Sequence, residues 1–559
     1  MKKIFIAMAC LLLAGPVLAQ NEARLDPLKG WLEQQLAGTD LLPVVRPFQG
    51  GTKTMADAKG IWYQLDLSAK SVSRAAKEAW QAIELEIPMP NGQSAHLQVA
   101  RNALLLANDF TVLSVTGAQT WETPYEPALH YRGLVLDAGS EGAAVVTFSD
   151  HCLRAIFEWQ GQTWNLGPLD NNPLSGKYAL YAADEVSLPL GFVCESEPEA
   201  GTHSEANHSG VQYRSPEENC VRVRAEVNYG LYTRLNGSIK ETADYVAFMY
   251  NVVSTIYYLE QIHTVLSQIH IWTVPDPYPS TDSRAALRGF GGWIQNAVGG
   301  DLAHLLANYA DSVGNDLGGR AWTGVLCDTF DMVDSSGPYA YSNVEGAFEE
   351  LPTYSWDVTV VAHEMGHNLG SHHTHDCVWN GDSTQIDDCG NLWLLSNGED
   401  DDNDGTVDNP EEAKACFDST NVILPTAGTI MSYCHLVDGV GIDLTLGFGS
   451  QPGDVIRNTV ANAACLGSCD SLCLATLHLF DPITEPADHE ADQYIIAQNE
   501  VSLDSGVVDY DAGQYVVLKP GFHATVDSGA LFHAFIDGCG NLRPAMHGPP
   551  PTTLNHAMA

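Results

Sequence analysis

The sequence is poor in positive charge. Only 26 of its 559 residues are Lys or Arg, against 70 Asp or Glu, giving a formal net charge of −44. Phosphate backbones are gripped by concentrated Lys and Arg, so this balance excludes a nucleic-acid partner. It suits an extracellular protein or one that binds cations. The chain also lacks a long apolar run past its first twenty residues. A membrane span needs roughly 20 such residues, so no span is expected. The repeated short cysteine intervals of a zinc ribbon are missing as well. Only Cys465 to Cys473 is tightly spaced, and at the wrong interval. Disorder is excluded by an apolar content of 45%, and the length points to two to four domains.

What is present starts with an export signature. Lys2 and Lys3 precede an apolar run from Ile4 to Leu13, and Val17-Leu18-Ala19 offers small residues for cleavage. Residues 1–19 are therefore read as a signal peptide, and the protein as secreted and extracellular. Past Cys10 twelve cysteines remain, ten of them at or after Cys220. That usage fits an oxidising compartment and a disulfide-bonded protein.

The mature chain divides into three parts. Residues 20–215 carry strand-like segments such as Ala95 to Val99 and Ala143 to Phe148 and end in a polar, turn-rich stretch, Glu195 to Asn207. This part is a propeptide or a permanent N-terminal domain; its place ahead of a protease-like domain favours the propeptide. Residues 216–470 alternate strands and helices. Cys220 to Val227 alternates with period two, Ser238 to Ile262 has helical spacing, and Ser267 to Trp272 is another strand. Ser280 is the expected cap of a further helix, with Asp282 in its first turn. Residues 473–541 hold short apolar runs between Asp-Ser-Gly, Asp-Ala-Gly and Pro-Gly turns, as in a small all-β module. Residues 542–559, with Pro-Pro-Pro, read as a disordered tail.

The central motif is His363-Glu364-Met365-Gly366-His367-Asn368-Leu369-Gly370-Ser371-His372-His373. Four residues advance a helix by about 400°, so His363 and His367 lie one above the other. Gly370 can take positive φ and turn the chain back, and His373 can then add a third nitrogen. Three protein ligands leave the fourth position of a zinc ion open, which is the catalytic arrangement. Glu364 can project toward that position as a general base. His372 and His375 compete with His373; spacing favours His373. The full pattern arises by chance with a probability on the order of one in ten thousand.

These residues resemble the metzincin pattern, and Gly428-Thr429-Ile430-Met431-Ser432-Tyr433 resembles its Met-turn. Within metzincins the chain is most similar to the reprolysin/adamalysin (ADAM-like) group, through Trp356 to Ala362 and Thr323 to Cys327. The resemblance implies a zinc endopeptidase acting on protein or peptide substrates. Its catalytic domain should be α/β, a mixed five-stranded sheet plus helices, with a β-rich propeptide before it. It also implies that Met431 floors the histidines and that Cys327 pairs with a cysteine near the end of the catalytic domain, with Cys465 as the candidate. Thr374 departs from the group, which usually has Asp there. Substrate is expected to add as a strand to the active-site sheet, with Tyr339 to Gly346 as the candidate edge. The resemblance extends to latency: Cys194 is a possible cysteine switch, and a Cys152–Cys194 disulfide is the rival. The C-terminal module resembles coathanger-stack domains, through Tyr510 to Gly513, Leu518 to Ala524 and Phe532 to Ile536. Cys473 and Cys539 are a possible pair bracketing it, and cell-surface or matrix contact is a possible role.

Asp400 to Glu411 fits an EF-hand loop register. Asp400, Asp402, Asp404, Asp408 and Glu411 offer side-chain oxygens, Thr406 its carbonyl, and Gly405 the sharp turn. A structural Ca²⁺ is expected there; a solvated acidic loop is the plainer alternative. Two other readings of the whole chain stand beside the peptidase: a catalytically inactive adhesion or binding protein on a metzincin scaffold, and a metal-dependent hydrolase of a non-protein substrate.

Overall fold

A computed structural model of the chain describes residues 24–535, apart from 184–193, 198–218, 311–316, 347–353, 399–404 and some shorter segments. Residues 1–19, expected as a signal peptide, the tail 542–559, Asp400, Asp402, Asp404, Cys473 and Cys539 lie outside the described residues. Among the described residues no helix is long and apolar enough to cross a membrane. The chain forms two compact units, Met1–Cys469 and Asp470–Ala559.

The first unit contains two large sheets. One has ten strands, all from residues 44–182, meandering antiparallel except for the short parallel edge Val44–Val45. Its alternating residues, including Leu85, Val99, Val146, Phe157 and Leu166, form a buried core. The other is the catalytic sheet. In chain order its strands are β1 (Leu106–Thr116), β2 (Gln119–Glu122), β3 (Cys194–Glu197), β4 (Cys220–Val227), β5 (His263–Trp272), β6 (Leu302–Ala307), β7 (Gly319–Trp322) and β8 (Tyr339–Asn343). They are ordered β3-β7-β8-β6-β4-β5-β1-β2.

The expected five strands are present as β4 to β8, and the sheet is mixed because β7 runs antiparallel to β8. The expectation of five is corrected to eight. Strands β1 and β2 from the N-terminal region extend the β5 edge, and β3 lies parallel on β7. The candidate edge Tyr339 to Gly346 is corrected too: β8 is interior, between β6 and β7. The segment Thr323 to Cys327, which resembles a strand segment of the ADAM-like group, follows β7 and is not itself a strand.

Four longer helices accompany this sheet among the described residues. Helix α1 (Ile239–Leu259) is buried nearly all round, and the Ser238 side chain accepts from the Glu241 N–H at its N-cap. Helix α2 (Ser283–Ile294) is capped by Asp282, not Ser280. That carboxylate reaches the Ala285 N–H at 2.6 Å, satisfying a first-turn donor. Helix α3 (Tyr354–Asn368) carries the histidine motif, and α4 (Ser450–Asn462) closes the unit. Val253, Tyr257, Val361, Met365, Ile430 and Phe448 share one core.

Between α3 and α4 the chain has little regular structure. Two disulfides, Cys377–Cys416 and Cys389–Cys434, fasten this segment. Cys327 pairs with the candidate Cys465 near the end of the catalytic domain, and Cys220–Cys469 joins the two ends of the catalytic region. Cys152 is a buried free thiol, which rules out its pairing with Cys194.

In the second unit every strand pairing among the described residues is parallel. Val508 lies beside Ala487 and Phe532 beside Val508, so the chain stacks as rungs of roughly two dozen residues. Tyr510 is fully buried between these rungs, packed on Phe532 and bonded to Asn499.

Candidate metal centre

Helix α3 is apolar around most of its circumference because it is buried: Val358, Val361, Ala362 and Met365 are all inside. Its end is set by Gly370, at φ +95°. The Ser371 N–H donates to the Gly366 carbonyl at 3.0 Å and the Gly370 N–H to the His367 carbonyl at 2.8 Å. This is a Schellman stop, and it needs the positive φ that glycine supplies without strain. The chain then turns back and brings His373 to the helix face.

The three expected histidines meet. His367 Nε2 lies 3.1 Å from His363 Nε2 and 3.0 Å from His373 Nε2. All three rings are buried. Their other nitrogens point outward: His363 Nδ1 donates to the Ile430 carbonyl and His367 Nδ1 to the Ser371 carbonyl, each at 2.7 Å. The Asp376 carboxylate lies 3.7 Å from His373 Nδ1 and accepts from the His373 backbone N–H at 3.1 Å. With the protons of His363 and His367 on Nδ1, their Nε2 atoms bear lone pairs, so their short approach is not a hydrogen bond. Converging lone pairs repel unless a cation lies among them. The residues present therefore fit a metal ion, and outer acceptors of this kind are what hold ligand imidazoles in one tautomer.

Electrostatics agree. Burial pushes His363 down to about 3. Burial, together with the neighbouring imidazoles, pushes His367 and His373 well below the ordinary histidine value. All three are neutral at pH 7, the form that binds metal.

Glu364 is fully buried on the same helix. It occupies the space left by Gly319 on β7, where an added Cβ would meet its carboxylate. Met431 passes beneath the helix at Gly366: a Cβ there would come within 2.7 Å of the Met431 sulfur. Both glycines are thus needed for close approach, one to admit the carboxylate and one to admit the Met-turn.

Further side chains surround the three histidines. Tyr433 packs edge-on against His373, with ring centroids 4.7 Å apart. His375, one of the rivals, is buried and stacked on His373 at 5.0 Å, while His372 is exposed. Trp379 Nε1 donates to the His373 carbonyl at 2.7 Å. Tyr433 stood in the quoted Met-turn and could have been found there; Gly319 carried no signal. Thr374, where the group usually has Asp, is buried, and its carbonyl accepts from the Ile386 N–H of the stapled segment at 2.7 Å.

Residues 217–433 match the model of the Reprolysin_5 family, described as metallo-peptidase family M12. This region of the chain is a reprolysin-like metzincin. The metzincin match covers both the histidine run and the Met-turn, and the family implies a zinc cofactor and protein substrates. The crystal structure of metalloproteinase-II from Bacteroides fragilis is similar at a TM-score of 0.32 and 10% identity, over 57% of this chain and 90% of that one.

Away from the metzincin centre, the described part of the acidic loop is exposed at Thr406, Asp408 and Glu411. Asp408 accepts from the Gly398 N–H at 2.8 Å, and the Thr406 carbonyl from Asn409 at 2.9 Å. These oxygens are held by the loop itself. For Cys194 only the backbone is described: it pairs with Gly319 in the parallel β3–β7 ladder.

Proposed function

We propose that the chain is a secreted zinc endopeptidase, with His363, His367 and His373 as zinc ligands and Glu364 as general base. The observation that carries this reading is the meeting of three neutral imidazole Nε2 atoms, 3.0–3.1 Å apart along the chain of contacts, beside a buried carboxylate. A zinc ion held there supplies Lewis acidity toward water and a peptide carbonyl. Glu364 takes the proton released by the attacking water and passes it to the leaving amine. Substrate pairs as a strand along β7, the edge of the catalytic strands.

Latency belongs to the same reading. Strand β3 already lies on β7, so the edge a substrate would use is taken. Cys194 stands opposite Gly319, the residue against Glu364. Cys194 is proposed to block the metal until β3 leaves. Should the Cys194→Ala precursor stay as inactive as the parent, that part fails. Residues 1–19 support secretion by their export signature. A structural Ca²⁺ on Asp400, Asp402, Asp404, Thr406, Asp408 and Glu411 is part of the proposal through its register; absence of calcium uptake by calorimetry would remove it. Attachment to surfaces or matrix by the stacked C-terminal module is a further part, supported by its resemblance alone.

The test is digestion of casein or gelatin with and without a chelator, beside Glu364→Gln. Internal cleavage that needs both metal and Glu364 supports the reading. Cleavage that survives either loss contradicts it.

A further inference from the structure

We propose that residues 24–182 are a permanent part of the working peptidase, completing its sheet and capping its zinc helix, and that β3 alone must leave. This rests on the peptidase reading and departs from the expectation that the whole N-terminal region is discarded.

The junction is built like a domain interior. Strand β1 continues the catalytic sheet on β5, and the flanking Leu266 and Thr273 N–H groups donate to the Leu105 and Val115 carbonyls at 2.8 and 3.0 Å. Leu105, Val112, Val145 and Ile156 sit in the same core as Val221, Val253 and Met365. Removing the body would bare an apolar strand edge, a surface that folded proteins cover. A large hydrophobic junction of this kind also argues against free relative motion or release.

Buried polar groups of the catalytic part have their partners in the body. Asn251, fully buried on α1, accepts from Asn102 at 2.9 Å and donates to the Tyr131 carbonyl at 3.2 Å. Asp244 accepts from the Tyr125 hydroxyl at 2.9 Å. Arg222 on β4 forms two bonds to Asp109 on β1, at 2.7 and 2.8 Å. Loss of the body would strip the Asn251 side chain of all three of its partners there, Asn102 and the Tyr131 and Val146 carbonyls, and each protein hydrogen bond lost is a net cost to stability.

The link to the reaction runs through Asn165. This side chain is fully buried in the ten-stranded sheet. Its Oδ1 accepts from the Ser355 N–H at 3.0 Å, and its Nδ2 donates to Ser355 Oγ at 3.2 Å. Ser355 lies in the first turn of α3, the helix that carries His363, Glu364 and His367. An amide from the body thus does the work of an N-cap in trans, satisfying a donor that a helix start leaves open. Asn165 is a positioning residue: it acts through the helix. Thr163 beside it also walls a cavity of about 570 Å³, together with Trp356, Thr359 and His435 of the catalytic part. Strand β3, by contrast, pairs over only the four residues Cys194 to Glu197.

The test uses the full chain with a specific protease site inserted between residues 200 and 215. After cutting, native gel filtration should carry both fragments in one peak, parting only in denaturant. Separation under native conditions overturns the proposal. This readout does not depend on peptidase activity, so its failure is distinct from failure of the functional reading. Asn165→Ala should raise amide exchange in the first turn of α3 roughly fivefold, and Asn165→Asp, which keeps the acceptor, should restore it. Unchanged exchange in Asn165→Ala overturns the capping role.

Discussion

The zinc helix ends at Asn368, and the chain on its two sides is held by different means. Residues 219–368 are strands and helices knit by ladders and a shared apolar core. Among the described residues, 369–449 contain one six-residue helix, Cys389–Leu394, some single turns, and two disulfides. Yet both sides supply the centre: His363, Glu364 and His367 come from the first, His373 and Met431 from the second. Precision at a site does not require regular structure on every side. A sheet fixes one wall, and staples plus outward hydrogen bonds can fix the other.

This contrast can be broken by experiment. The largest effect is on activity: Glu364→Gln should lower kcat/KM by roughly 10²–10⁴ while leaving zinc content unchanged, as steady-state kinetics and metal analysis would record. Loss of zinc along with activity would mean that the carboxylate holds the wall and not the reaction. Next is the staple. Replacing Cys389 and Cys434 by Ala opens a loop with a separation of 45 residues and should cost about 4 kcal/mol. Hydrogen exchange should rise across 369–449 and stay slow in β4 to β8. A uniform rise would erase the distinction between the two sides.

Gly366→Ala probes the seam between them. Its Cβ would come within 2.7 Å of the Met431 sulfur and 3.1 Å of Phe448, a destabilisation of roughly 1–3 kcal/mol in chemical denaturation. The gentlest probe is acid. His304 on β6 is buried, and burial pushes it down to about 3. The folded state therefore refuses a proton that the unfolded state accepts. The stability it contributes is complete above the unfolded value near 6.5 and is lost as pH falls from there toward 3. The slope is at most about 1.4 kcal/mol per pH unit for this one group. His304→Gln should flatten the melting curve against pH in that window; an unaltered curve would place the acid sensitivity elsewhere.

The same contrast governs what the sequence made legible. Periodicity marked β4, α1 and much of β5, because a sheet and a buried helix repeat. The His-Glu-Met-Gly-His run and the Met-turn were legible because metal geometry fixes spacing along one helix and one tight turn. The stapled segment has no period, and cysteine spacing alone cannot choose among pairings, so Cys377–Cys416 and Cys389–Cys434 were out of reach. The sheet count failed for a different reason. Strands β1 and β3 are separated from the catalytic strands by long stretches of chain, and no local pattern announces such pairing. Asn165 and Gly319 act only through three-dimensional neighbours.

The central claim is that three imidazoles from the two sides share one zinc ion. The most direct measurement is elemental analysis of the purified chain beside His367→Ala and His373→Ala. The account predicts one zinc per chain, lost when a histidine from either side is replaced. Zinc retained at full stoichiometry in both variants, or absent from the parent, would contradict it.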